Sequence, residues 1–209
     1  METDMICFDF DGVISDSLHM WGGVLHKTAA RFGIDLPDDV RPFQRLRPLT
    51  FETLGKALGV DPVAFSDAMA AEAASNAAIP PLVQGMRGVL DSLAGQEPLV
   101  IVSSSRRAVI ERFLVEHDLS HAFSDVIGSD VYPTKVEVLR TLLPAGARIM
   151  VGDAASDMEA ARAVGIEAIG VLWGWQDADM LVDAHQLVQT PADLLDVLRA
   201  SEGLSLHSH

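Results

Sequence analysis

The sequence predicts an α/β fold: a Rossmann-like parallel sheet with helices on both faces and an inserted helical cap. Three observations predict it. From residue 81 onward, short apolar runs alternate with stretches of helical periodicity, the pattern of successive βα units. Some eighty residues of helical character separate the first apolar run from the second. Finally, each suspicious polar cluster falls at the end of a predicted strand, where open parallel sheets place their ligands.

The elements follow in order. "MICFDF" is a short apolar, aromatic run closed by Asp-Gly, so residues 5–10 read as a buried strand. "SLHMWGGVLHKTAARFG" has apolar spacing near 3.6 and stops at Gly33. "TFETLGKALG" opens on Thr50 and closes on Gly59, and the next helix has Asp61 as N-cap with Pro62 at its first position. "IPPLVQG" then reads as a stiff return linker. The predicted division is a catalytic core of 1–16 and 81–209 and a helical cap of 17–80. In the core, a helix over 86–94 precedes strand 98–103, and helix 105–117 precedes a short strand near 125–128. One of Ser103 to Ser105 is the expected N-cap of helix 105–117. Thr134 and Glu137 form a capping box for helix 134–143. "ARIMVG" is a strand, and Ser156 with Glu159 is the expected cap of helix 155–164. "EAIGVLWG" is a strand, "HQLVQT" an edge strand, and 191–200 a last helix. The tail "SEGLSLHSH" reads as frayed, so its two histidines need not be ligands.

Thirty acids against fifteen bases give a net charge of −15 in 209 residues, which repels phosphate backbones and anionic membranes. The expected partner is therefore a small molecule, with no nucleic acid and no membrane, and the chain is expected as a monomer or homodimer. The single cysteine, Cys7, excludes an internal disulfide and suits a reducing, cytoplasmic setting. "METDMICFDF" enters a strand at once, so no signal peptide is expected. No apolar run approaches a membrane span.

The chemistry lies at the strand ends. Asp9, Asp11 and Asp16 crowd into eight residues, and like charges that close repel. Either they sit in solvent as a turn, or something positive is expected between them. Asp153 and Asp157 follow another strand, Ser103 and Ser104 a third, and Lys135 starts a helix. If the strands are parallel neighbours, all share one rim. Oxygen ligands without histidine or cysteine favour Mg²⁺, which keeps waters and takes substrate phosphate as a further ligand. Ser103, Ser104, Lys135 and the Asp-Gly turn at Gly12 offer donors and charge for a phosphoryl group. The arginines of "RPFQRLRPLT", Arg41, Arg45 and Arg47, form a basic patch in an acidic chain. Arg45 and Arg47 are the candidates to clamp a second anionic group on the substrate, with a solvated face as the alternative.

"DFDGVISDS", "VIVSS", Lys135 at a helix start and "VGDAASDMEAARAVG", in that order, resemble the haloacid dehalogenase superfamily, in the subgroup of phosphoglycolate phosphatases and β-phosphoglucomutases. Lys135 is followed by "VEVL" where many relatives carry Lys-Pro. The resemblance implies a phosphatase acting through an aspartyl-phosphate. Asp9 would be the nucleophile, and Asp11 the acid and base that also offers its carbonyl to the metal. Asp9, Asp11, Asp153 and Asp157 would hold Mg²⁺, and Ser103 and Lys135 the phosphoryl group. Phosphoglycolate or sugar phosphate-like compounds are the expected substrates. A phosphomutase uses the same residues, and a binding protein of this fold without turnover is a further alternative. Asp11 argues against dehalogenation. A phosphonatase would want a Schiff-base lysine in the cap, and nothing singles out Lys27 or Lys56.

Overall fold

The computed structural model describes residues 4–39, 41–76, 78–132 and 134–205. The predicted tail histidines, His207 and His209, and the side chain of Arg41 lie outside what is described. The first strand, β1 (Met5–Phe8), leads into a helical segment: α1 (Leu18–Arg31), α2 (Arg41–Gln44), α3 (Phe51–Ala57) and α4 (Pro62–Ser75). The chain then alternates: α5 (Met86–Leu93), β2 (Leu99–Val102), α6 (Arg107–Glu116), β3 (Asp125–Ile127), α7 (Lys135–Leu142), β4 (Ala147–Gly152), α8 (Ala155–Val164), β5 (Glu167–Val171), β6 (Gln186–Val188) and α9 (Pro191–Ser205). Among the described residues the strands form one six-stranded sheet in the order β3-β2-β1-β4-β5-β6, every pairing parallel. No described helix is long and apolar enough to cross a membrane.

Side-chain alternation sorts the core into two layers. Ile6 and Phe8 of β1 pack on the face that holds Leu90, Phe113 and Leu198 from α5, α6 and α9. Met5 and Cys7 point to the opposite face, with Leu139 and Met158 from α7 and α8. Cys7 is fully buried, and burial pushes its thiol up to about 12, so it stays protonated and inert. A third apolar cluster, built on Val24, Leu25, Leu54, Phe65 and Met69, gathers α1, α3 and α4 on one another. The chain leaves and returns side by side: Ile14 accepts from the Val83 N–H at 2.9 Å, and Pro81 from the Asp16 N–H at 2.9 Å.

Five local expectations need correction. Helix α9 runs to Ser205, five residues past its predicted end, and the short α2 occupies a stretch with no predicted element. No serine caps α6; the helix starts two residues later, and Asp130 Oδ1 accepts from the Arg107 N–H at 2.9 Å. Ser156 and Glu159 do not cap α8. The Asp157 carboxylate accepts from the Ala154 N–H at 3.1 Å, and the side chain of Gln176 accepts from the Ala155 N–H at 2.7 Å. Strand β5 ends at Val171, so residues 172–174 of the expected strand are loop.

Candidate active site

Register alone brings the polar clusters together. Phe8 pairs with Ile101 of β2 and Val151 of β4, so Asp9, Ser103 and Asp153 all emerge at the carboxyl edge of three neighbouring strands. The Asp9 N–H still donates to Val151 O at 2.8 Å, which fixes the residue against β4. Candidate ligand oxygens of Asp9, Asp153 and Asp157 lie within 4.8 Å of one another, and all three residues are buried. Two glycines make room for this convergence. A Cβ on Gly12, itself at φ +78°, would overlap the Asp153 carboxylate and the Trp175 ring, and one on Gly152 would overlap Asp157.

Lys135 is the cation beside the cluster. Its Nζ lies 2.9 Å from Asp9 Oδ1 and also bonds Asp157 Oδ1. Burial works to lower its pKa, but Asp157 and Asp9 together hold it above the ordinary lysine value. Asp9 Oδ1 also accepts from the Phe10 N–H at 2.7 Å, which leaves Oδ2 without a hydrogen bond to any described residue. The backbone N–H of Trp175 holds Asp153 Oδ2 at 2.6 Å. Burial, then the charges of Asp9 and Asp157, raise the Asp153 pKa well above the carboxylate range. Burial likewise pushes Asp157 up to about 6, against the opposing pull of Lys135.

Three buried acids facing one lysine are short of positive charge, and a set of carboxylate oxygens without nitrogen or sulfur is the donor set of a hard divalent cation. Residues Asp9, Asp153 and Asp157 therefore fit Mg²⁺.

Asp11 is half-buried beside the cluster. Burial raises its pKa, opposed by hydrogen bonds from Ser105 Oγ at 2.5 Å and Trp21 Nε1 at 3.1 Å. Ser103 is buried, and its Oγ accepts from the Ser105 N–H at 3.1 Å; Ser104 is exposed. Sequence reading gave Ser105 only a possible helix N-cap, Trp21 and Trp175 only packing, and Gln176 nothing. Ser105 carried a signal as the third serine after the strand. Trp175 and Gln176 meet their partners across 22 and 132 positions, and Trp21 reaches Asp11 ten residues back through a turn that no periodicity marks.

Arg45 and Arg47 sit apart from these groups in their contacts. Arg45 pairs with Asp179 and, at 3.5 Å, with Asp177. Arg47 bonds Glu159 at 2.6 Å and lies 3.6 Å from Asp183. Beside Gly12, Gly174 and Trp175 opens a cavity of about 240 Å³, walled further by Trp173, Val83 and Asp16. A larger opening of about 550 Å³ lies at the other end of the sheet, by Asp4, Ala147 and Glu167, away from the acids.

The model of the haloacid dehalogenase-like hydrolase family matches residues 6–171. A phosphoglycolate phosphatase from Synechococcus elongatus is 35% identical over 205 residues, covering 92% of this chain and 96% of that protein. A 5'-nucleotidase from Pseudomonas aeruginosa is 28% identical over 207 residues, covering 90% and 91%. In fold, a haloacid dehalogenase-like hydrolase from Streptococcus pneumoniae superposes with a TM-score of 0.82 at 21% identity, over 94% of this chain and 99% of its own.

Proposed function

The chain belongs to the haloacid dehalogenase-like hydrolase family, and from that premise we propose that it is a Mg²⁺-dependent phosphatase of a small phosphorylated metabolite, phosphoglycolate or a compact sugar phosphate, working through an aspartyl-phosphate on Asp9. The observation that carries the reading is the state of Asp9. Lys135 and the Phe10 N–H both hold Oδ1, so Oδ2 is left to attack phosphorus.

Asp11 is poised as the acid and base of the two steps. Burial shifts Asp11 toward the protonated form that would donate to the leaving alcohol, and the same carboxylate would then accept a proton from water. Ser105 and Trp21 fix its orientation. Ser103, Ser104 and the turn at Gly12 supply donors near the phosphoryl oxygens, and Lys135 offsets their charge. Asp9, Asp153, Asp157 and the Asp11 carbonyl would hold Mg²⁺, which supplies Lewis-acid neutralisation of the phosphoryl group. Phosphoryl transfer asks mainly for such positioning and charge stabilisation. Residues 17–80 would act as a cap: they hold their own apolar cluster and meet the rim where Trp21 bonds Asp11 and where Gln176 bonds the carbonyls of Gln44 and Leu46. Arg45 and Arg47 reach a substrate anion only by releasing the acids that now hold them.

A panel of phosphorylated metabolites assayed for phosphate release, with and without Mg²⁺, tests the reading. Release from phosphoglycolate or a small sugar phosphate, dependent on Mg²⁺, is expected. Transfer to a second hydroxyl that needs a bisphosphate activator, with little free phosphate, would make it a mutase instead.

A further inference from the structure

Gln176 is a neutral, polar side chain that is 3% exposed, and every polar end of it is used. Its Nε2 donates to Gln44 O at 2.7 Å and to Leu46 O at 3.1 Å. Its Oε1 accepts from the Ala155 N–H at 2.7 Å, at the first residue of α8. Its own N–H donates to Asp153 O at 3.2 Å, and the preceding N–H, of Trp175, holds the Asp153 carboxylate at 2.6 Å. One residue thus ties the loop at 44–46 to both sides of Asp153.

We infer that Gln176 is a positioning residue that couples the seating of residues 44–46 on the core to the orientation of Asp153, and so to divalent-cation affinity at the rim. The surrounding ion pairs do not do this. Arg45 and Arg47 are about half exposed, and their partners sit on Asp177, Asp179, Glu159 and Asp183, so those pairs are weak and screened by salt. The two Gln176 bonds are part-buried and uncharged, so salt does not screen them. The segment from Gly174 to Gln176 must sit close for its N–H groups to reach Asp153. Pulling Gln176 away with the loop loosens both bonds at once. The cation arm rests on the proposed Mg²⁺ site; the loop arm does not.

The experiment compares wild type, Gln176→Met and Arg45→Ala/Arg47→Ala by amide hydrogen exchange over residues 43–48 and by Mg²⁺ titration of tryptophan fluorescence, for which Trp175 is an adjacent reporter. Methionine keeps the volume and removes both donors and the acceptor. For Gln176→Met, exchange of the loop is expected to rise about tenfold at any salt concentration, and Mg²⁺ affinity to fall about tenfold. In the double arginine variant, exchange should rise only at low salt, with Mg²⁺ affinity unchanged. Gln176→Glu separates the two ends of the side chain: it keeps the acceptor for the Ala155 N–H, so that amide stays protected while the loop exchanges faster. Faster exchange with unaltered Mg²⁺ affinity in Gln176→Met would overturn the coupling, as would an unchanged loop. If wild type binds Mg²⁺ but releases phosphate from no substrate, the phosphatase reading fails while both arms still decide the role of Gln176.

Discussion

Among the described residues two carboxylate sites are buried, and they are balanced in opposite ways. In the helical segment, Glu72 is one acid with two cations, Lys27 at 3.5 Å and Arg31 in direct contact. At the sheet edge, Asp9, Asp153 and Asp157 are three acids with one cation, Lys135. A buried acid that meets its own counter-charge closes a structural account. A buried cluster with more acids than cations is the arrangement that a bound cation would stabilise, so there burial would serve function rather than fold. The pKa directions say the same: burial and the neighbouring acids push Asp153 and Asp157 up, toward the protonated form.

The largest expected effect breaks the sheet-edge site chemically. Asp9→Asn keeps the shape and removes the nucleophile, so kcat should fall by at least roughly 10⁴-fold in a phosphate-release assay. Retained turnover would exclude Asp9 as the attacking group.

Metal and pH should sharpen the contrast next. At about a hundred times its dissociation constant, Mg²⁺ should raise the melting temperature by roughly 5–10 °C. Without the metal, the sign follows from the raised carboxyls. Asp157 stands at about 6 when folded, against an ordinary 3.8, so the folded state binds more protons between these values. Its contribution is complete below the unfolded pKa and disappears as pH rises through about 6. Thermal melts from pH 4 to 8 should therefore show metal-free stability falling, with Mg²⁺ reversing the loss at the upper end.

Glu72→Gln breaks the balanced site. Its cations are more than half exposed and can return to water, so the cost should be about 1 kcal/mol, or 2–4 °C in melting temperature. Mg²⁺ affinity should not move; a shift there would mean the two sites are not independent. Smallest of all, Arg45→Ala should cost under about 1 kcal/mol and less at high salt, read by melts at two ionic strengths.

Much of this arrangement was legible in the sequence. The apolar runs ending in Asp9, Ser103 and Asp153 marked strand ends, and a parallel sheet leaves those ends few places to go except one rim. Lys135 was legible only through its place among the motifs; nothing local says that its amine would reach both Asp9 and Asp157. What stayed hidden depends on contacts between remote segments. Gln176 meets Gln44 across 132 positions, and no periodicity encodes such a pair. The start of α8 shows the same limit. Ser156 and Glu159 have the spacing of a capping box, but Asp157 and Gln176 satisfy the helix end. Asp157 is a local acceptor one position from the expected serine, and Gln176 is a tertiary one that local spacing does not show. Arg45 and Arg47 read as a free basic patch because the acids that hold them lie more than a hundred residues away.

The most direct test of the charge imbalance is a pair of Mg²⁺ thermal titrations, on wild type and on Asp153→Asn. Removing one of three crowded acids should make the metal-free variant as stable as wild type or more so, while abolishing the Mg²⁺-induced rise in melting temperature that wild type shows. A wild type whose melting temperature ignores Mg²⁺, or an Asp153→Asn variant that responds as strongly as wild type, would contradict a cation site built from these carboxylates.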